Sequence, residues 1–258
     1  MVSPETLPIA AADLVVGLGR GLQVIESFDD AHPRLTVAQA SQRTGIPRSA
    51  ARRHLLSLCH FGYAQTDGKQ FWLTPKVLRL GQSYLGGARL PRLVQPFIQR
   101  LSLATGETVN VSVLDGHEVV YIARSNSPRL VSIGFQVGVR VPAHVVAPGV
   151  ALLARLDDAA LDAWVAGHAF GAYTARTVHD PAQFATTVRA ARAQDHWIAE
   201  QQLDGGLNGV AMALKDRHGS ILAAIGMTVQ AASWPREAIE ARLLPGLTDT
   251  AQVLRGVL

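Results

Sequence analysis

The chain has 258 residues, a formal net charge of +4 and a hydrophobic fraction of 48%. This composition excludes a disordered protein, and the length is sufficient for two domains with cores of their own. No apolar run reaches the roughly 18–20 residues of a membrane span, and the N-terminus lacks the basic region of a signal peptide, so we expect no membrane partner. Cys59 is the only cysteine, which favours a reducing cytoplasm.

The positive charge is concentrated near the N-terminus. Residues 31–90 contain nine Lys and Arg against one acidic residue, whereas residues 91–258 contain 14 of each sign. A short basic segment beside a neutral remainder is typical of proteins that bind a polyanion. An arginine-rich solvated surface would give the same count. The predicted helices and strands must therefore distinguish polyanion binding from a solvated surface.

In chain order, residues 1–15 are predicted to be a flexible tail, and residues 16–74 a compact domain. "RGLQVIESF" (20–28) has helical spacing, and "LTVAQASQRTG" (35–45) is a short helix that Thr36 caps and Gly45 ends. "IPRSAARRHLLSLCHFGY" (46–63) follows after a short turn. It places Ala51, Leu55 and Leu58 on one stripe of a helix, with the charged residues on the opposite arc.

"YAQTDGKQFWLTP" (63–75) reads as a hairpin with its turn at Asp67-Gly68. Three helices and a two-stranded wing form a winged helix-turn-helix, whose third helix enters the major groove of DNA. The sided third helix and the basic segment therefore predict a double-stranded DNA partner. The predicted DNA-binding residues are Arg20, Thr36, Arg48, Ser49, Arg52, Arg53 and Lys69.

Residues 75–90 predict a linker helix that ends at Gly86-Gly87, and residues 91–258 a second domain. Strands are predicted around the Asp115-Gly116 turn, at "RLVSIGF" (129–135), at "WIAEQQ" (197–202) and on either side of "DRHG" (216–219). Helices lie between them, and "PREAIEARLLPGLTDTAQVLRGVL" (235–258) closes the chain as helix. The expected architecture is a mixed sheet flanked by helices, giving an α+β protein overall.

The sequence offers little for catalysis or metal binding. It lacks a G-x-S-x-G elbow, Cys59 lies in the apolar part of a helix, and the nine His show no metal-ligand spacing. We therefore expect no catalytic residues, no metal and no cofactor. The rival class is an enzyme or metabolite-binding protein with an incidental basic domain.

Segments from both parts of the chain resemble the IclR-type transcriptional regulators. They include "LTVAQASQRTGIPRSAARRHLLSLCHFGY" in the first part, and "GVRVPAHVVAPGVALLA" and "NGVAMALKDRHGSILAAIGMTV" in the second. The resemblance is greatest to the branch that controls protocatechuate and 4-hydroxybenzoate catabolism, in "SPRLVSIGFQVGVRVPAH" and "LRLGQSYL". It implies a GAF-like effector and oligomerisation domain, a homodimer or tetramer with a pseudo-palindromic operator, and a small carboxylic acid as effector.

The resemblance also implies which positions bind the effector. Relatives carry polar or small residues where Val146 and Pro148 stand, and often Cys or Ser at the position of Gly209. A roomier, less polar pocket follows, which suits an aromatic acid better than the alternative, a short acid such as glyoxylate or pyruvate. Arg140 is the candidate carboxylate partner, although a solvated Arg140 and a structural His144 remain open. The implied effector residues are Arg140, His144, Val146, Ala147, Glu200, Gly209, Met212, Gly226 and Thr228.

Overall fold

The computed structural model describes residues 9–125 and 134–258. The chain forms two compact units that divide between Gly87 and Ala88. The predicted tail lies partly outside the described residues, and residues 9–15 contain neither helix nor strand. The predicted strand at 129–135 lies almost wholly outside them.

The N-terminal unit is a helical bundle with a small sheet. Its elements are α1 (Val16–Glu26), β1 (Leu35–Thr36), α2 (Val37–Thr44), α3 (Arg48–His60), β2 (Ala64–Thr66), β3 (Gln70–Leu73) and α4 (Leu78–Gly87). The wing has three strands instead of the predicted two, because Leu35 and Thr36 pair with Phe71 and Gln70 on the outer side of β3. Between β3 and α4 the chain makes one 3-10 turn, so the predicted linker helix is shorter than its segment.

The C-terminal unit is a six-stranded sheet with helices on both faces. Its strands are β4 (Val109–Asp115), β5 (Glu118–Arg124), β6 (Arg140–Pro142), β7 (His196–Glu200), β8 (Leu207–Lys215) and β9 (Ile221–Gln230). Its helices are α5 (Arg89–Thr105), α6 (Ala147–Leu153), α7 (Asp158–Gly167), α8 (Pro181–Ala191), α9 (Arg236–Arg242) and α10 (Leu244–Val257).

The order of the strands is β6-β5-β4-β9-β8-β7. Every recorded pair of these strands is antiparallel, and the helices flank the sheet as expected. One face packs against α5 and α10, and the other against α6, α7 and α8. The closing helix is interrupted at Leu243, and Pro245 lies in the first turn of α10, where its missing amide hydrogen costs no helical hydrogen bond.

Candidate DNA-binding surface and ligand cavity

Helix α3 is buried on one side and charged on the other. Ala51 and Leu55 are fully buried, and Leu58 is nearly so, in the core of the N-terminal unit. The opposite arc is exposed along its whole length, and its members are Arg48, Ser49, Arg52 and Arg53. The apolar stripe holds the helix in place, which leaves the charged arc free for a partner.

Local capping holds α2 and α3 at a fixed turn. The Thr36 hydroxyl accepts from the Gln39 amide, while the Gln39 side chain accepts from the Thr36 amide at 2.8 Å. Gly45 ends α2 at φ 70°, a left-handed conformation that glycine adopts without a Cβ penalty. This capping box uses the Thr36 hydroxyl within the protein, so the residue acts first by starting α2.

The wing presents a cation at its tip. The Asp67 carboxylate accepts from the Lys69 and Gln70 amides at 2.9 and 2.8 Å, and these bonds lower the pKa of Asp67. Gly68 has a φ of 94°, and Lys69 is exposed beside it. Arg34 lies over the Trp72 ring at 4.3 Å, which places a further cation on the wing. The sequence reading missed Arg34, because the pairing of Leu35 with β3 is not visible in the pattern.

The cations of this unit are available to a partner. Among the described residues the ion pairs of the N-terminal unit join Asp29 to Arg43 and to His32. Arg20 is exposed on α1, and neither it nor the α3 arginines take part in them. A surface of unpaired arginines beside a helix N-terminus is chemically suited to phosphates and base edges.

The C-terminal unit contains a cavity between the sheet and the start of α6. About 340 Å³ of space there is free of protein atoms, and part of it is open to solvent. Ala199, Gly209 and Thr228 form its floor as direct cross-strand neighbours on β7, β8 and β9. The other lining residues are Tyr121, Phe135, Val145, Val146, Ala147, Pro148, Gln202, Leu203, Leu207 and Asn208.

Small residues let α6 lie close to the sheet at this point. A Cβ at Gly209 would stand 3.5 Å from the Ala147 Cβ, an ordinary contact. At Gly149 a Cβ would meet the Ala143 carbonyl oxygen at 1.9 Å, so only glycine fits there. Ala147 and Ala211 pack together in a cluster of alanines between α6 and the sheet.

An aromatic pair forms one wall of the cavity. The Tyr121 and Phe135 rings are stacked, with their centroids 4.7 Å apart and 24° between their planes. Burial raises the pKa of the Tyr121 phenol, which therefore stays a neutral donor. None of the described lining residues is charged, so the polar groups offered to a ligand are neutral ones such as the Tyr121 and Thr228 hydroxyls.

Four of the implied effector residues line this cavity, namely Val146, Ala147, Gly209 and Thr228. Arg140, the expected carboxylate partner, does not line it. Its guanidinium binds the Asp115 carboxylate at 2.8 Å and the Glu118 carboxylate at 2.7 Å on the exposed rim of the β4–β5 hairpin. These two bonds raise the pKa of Arg140 against the opposing effect of partial burial, which is the largest single influence.

Three further implied residues lie outside the lining, two of them because they face the other side of the sheet. Side chains alternate between the two faces of a strand. Glu200 follows Ala199 and faces away, where its carboxylate binds the Arg236 Nε at 2.8 Å. Met212 lies three residues beyond Gly209 and packs on the other face of the sheet. Gly226 lies on the same face as Thr228. It pairs with Ala211, two residues along β8 from Gly209, and is outside the lining.

His144 lies outside the cavity lining and is held by hydrogen bonds to its neighbours. Its Nε2 lies 3.0 Å from the Gly171 carbonyl oxygen, which requires a hydrogen on Nε2, so its Nδ1 accepts from the His168 Nε2 at 2.7 Å. Burial lowers the pKa of His144. It also lowers the pKa of His168 to about 4, with smaller contributions from the neighbouring His144 and His117. Both rings are therefore neutral at pH 7.

Within the two described ranges, no cluster of three or more His, Cys, Asp or Glu residues could hold a metal ion. Over the same ranges, no helix is both long and apolar enough to cross a membrane.

An exposed basic helix with a wing, beside a second unit that carries a cavity with an aromatic wall, is the architecture of a DNA-binding regulator. Two family models match the chain: the IclR helix-turn-helix domain over residues 17–68, and the bacterial transcriptional regulator IclR C-terminal domain over residues 82–255. The chain belongs to the IclR family of bacterial transcriptional regulators, a family that acts on DNA and not as enzymes.

Three relatives indicate the branch. The chain is 39% identical to the Pca regulon regulatory protein of Pseudomonas putida, over 94% of this chain and 84% of that protein. It is 36% identical to the p-hydroxybenzoate hydroxylase transcriptional activator of Acinetobacter baylyi, over 96% of this chain and 94% of that protein. A crystal structure of the PobR inducer-binding domain from Acinetobacter, a double mutant in complex with 3-hydroxybenzoic acid, matches with a TM-score of 0.63 at 30% identity, over 66% of this chain and all of that one.

Proposed function

We propose that this regulator responds to a hydroxylated aromatic acid, with protocatechuate and 4-hydroxybenzoate as first candidates, and controls genes of aromatic catabolism. The observation that carries the proposal is the uncharged cavity with an aromatic wall, in the same domain that binds 3-hydroxybenzoic acid in a relative. The names of the Pca and p-hydroxybenzoate relatives support the same class of effector.

The lining suits an aromatic acid in three respects. The Tyr121–Phe135 pair offers a flat surface for the ring, and Val145 and Val146 add apolar contacts. The Thr228 and Tyr121 hydroxyls can donate hydrogen bonds to a carboxylate or exchange them with a phenol. A two- or three-carbon acid would leave the aromatic wall without a partner, so glyoxylate and pyruvate are the weaker alternative.

The DNA-binding role is assigned to the charged arc of α3. We assign Arg48 and Arg52 to base edges in the major groove, and Arg53, Lys69 and Arg20 to phosphates. Ser49 lies on the same exposed arc and can donate to either group. The cation on the wing then follows the backbone beside the groove.

We also propose a dimer or a dimer of dimers that binds a pseudo-palindromic operator. The support is the family and an apolar surface on α4, where Leu78, Leu80 and Tyr84 are 69%, 45% and 51% exposed. Apolar side chains at this density on one helix are typical of a protein interface. A two-fold dimer needs two half-sites about one helical turn apart, or a multiple of that distance.

The protein would act in the cytoplasm, where the thiol of Cys59 stays reduced. Effector binding would favour one of two arrangements of the regulator, and the segment of 75–90 would transmit that preference to the DNA-binding unit.

A thermal-shift screen over aromatic and short aliphatic acids tests the effector class. A ligand that binds the native state raises its stability by RT ln(1 + [L]/Kd). We expect 4-hydroxybenzoate or protocatechuate to raise the melting temperature in a saturable way. Stabilisation by glyoxylate or pyruvate alone would overturn the aromatic assignment, and turnover of any of these acids would favour the enzyme alternative.

A further inference from the structure

A second cavity lies at the other end of β8 and has a different chemistry. β7 begins at His196, opposite Met212, so Ala213–Lys215 of β8 have no strand on that side. The gap is walled by α10 and by the residues after α6, and about 610 Å³ of it is free of protein atoms, part of which is open to solvent. Its lining residues are Arg155, Asp195, Met212, Ala213, Lys215, Thr248, Ala251, Gln252 and Arg255.

Three cations from separate elements converge on this cavity. Arg155 follows α6, Lys215 ends β8, and Arg255 lies in the last turn of α10. Among the described residues none of the three forms an ion pair, and Asp195, the one acidic residue of the lining, pairs with none of them. Like charges that form no ion pair repel one another, and a bound anion reduces that repulsion.

Arg155 is held in place by a hydrogen bond but lacks an acidic partner within the described part of the chain. One terminal nitrogen of its guanidinium donates to the Gln194 carbonyl at 2.7 Å, which fixes the group at the cavity. Its Nε is buried and has no hydrogen-bond partner. Elsewhere in the unit the fold neutralises such groups, since Arg189 and Arg236 each contact two carboxylates. An arginine held in place but left without an acid is suited to an incoming oxyanion.

The remaining lining indicates what the anion carries. Met212, Ala213 and Ala251 give the cavity an apolar side, and Thr248 can add a neutral hydrogen bond. A second trough, which shares Arg155 with this cavity, is lined mainly by apolar residues. Its lining residues are Val113, Leu114, Leu152, Arg155, Leu156, Ser220, Ile221 and Leu222. The combination fits a small molecule with one oxyanion and an apolar body.

We propose that this cavity is a second ligand site, which binds a small organic carboxylate with an apolar body and is separate from the effector cavity. The two sites share structural elements. Met212 lies three residues from Gly209 on β8, and Arg155 comes two residues after the end of α6, whose first residue lines the effector cavity. A ligand here would therefore contact β8 and the segment directly after α6, and both β8 and α6 also shape the effector cavity.

Methyl NMR of the full chain tests the site directly. The chain has three methionines, and Met212 is the one that lines this cavity, so its ¹³C-methyl signal, assigned with Met212→Leu, reports occupancy. The probes are hexanoate and hexan-1-ol, which share an apolar chain and differ in charge. We expect the Met212 signal to shift in a saturable way with hexanoate and to stay in place with hexan-1-ol at the same concentration.

Matched variants separate this site from indirect effects. Lys215→Gln and Arg255→Gln should each raise the half-saturating concentration of hexanoate by about threefold to tenfold, the loss of one partly exposed charged contact. Arg217→Gln, an exposed cation of the adjoining turn outside the lining, should leave it unchanged. An equal response to hexan-1-ol, no response to hexanoate, or equal affinity in the Lys215 and Arg255 variants would each overturn the proposal. None of these results bears on the aromatic effector, which thermal shift tests independently.

Discussion

Replacing Arg140 by alanine should leave effector affinity almost unchanged, although this arginine is the most obvious carboxylate partner in the sequence. The structure places its guanidinium against Asp115 and Glu118, and all three side chains are 41–52% exposed. Exposed ion pairs contribute about 0–1 kcal/mol each, so the stability of Arg140→Ala should fall by at most about 1–2 kcal/mol. Its dissociation constant for 4-hydroxybenzoate should stay within about twofold, since the side chain is outside the cavity.

The matched change inside the cavity is Thr228→Val, which keeps the shape of the side chain and removes its hydroxyl. A hydrogen bond to a charged group contributes about 1.5–3 kcal/mol and one between neutral groups about 0.5–1.5 kcal/mol. Effector affinity should therefore fall at least about twofold, and more than tenfold if Thr228 binds the carboxylate. Calorimetric titration of both variants measures the contrast. A large loss in Arg140→Ala together with unchanged binding by Thr228→Val would refute the placement of the effector.

Three further outcomes follow from the structure. Arg52→Ala should lose about 1–3 kcal/mol of operator affinity in fluorescence anisotropy if it makes a bidentate base contact, whereas Lys69→Ala should weaken all DNA sequences alike and lower the salt slope by about one. Gly149→Ala should lower the melting temperature by the equivalent of about 3 kcal/mol or more, while Gly256→Ala, which has open space, should not. Because the folded state lowers the pKa of His168 from 6.5 to about 4, stability present above pH 6.5 should be lost as pH falls towards 4, and the loss should be smaller in His168→Gln.

Most of the DNA-binding unit can be predicted from the sequence, because its helices are defined by patterns within short segments. The spacing of Ala51, Leu55 and Leu58 orients α3, and Gly45 ends the helix before it. What the pattern does not contain is the pairing of Leu35 with Phe71, which adds a third strand to the wing. That contact joins segments more than thirty residues apart, and hydrophobic periodicity carries no information on it.

The cavity is less readable because it depends on register between distant strands. Arg140 is close in sequence to Val146, yet β6 is an edge strand and its pairing with β5 directs Arg140 to the rim. Met212 and Gly209 lie on one strand but face opposite sides of the sheet, because they are an odd number of residues apart. Their closeness in sequence therefore does not bring them to one site. Tyr121 was missed altogether, because its approach to Phe135 is a contact between β5 and a loop.

Calorimetric titration of the effector into the regulator, alone and bound to operator DNA, tests the central claim most directly. If the effector cavity and the DNA-binding unit are coupled, operator DNA changes the affinity for 4-hydroxybenzoate or protocatechuate. The effector must then change the affinity for DNA by the same factor, since binding free energies are linked, and such factors are commonly about 5–150-fold. Equal effector affinity with and without operator DNA would contradict the account, because the cavity would then bind its ligand without influence on DNA.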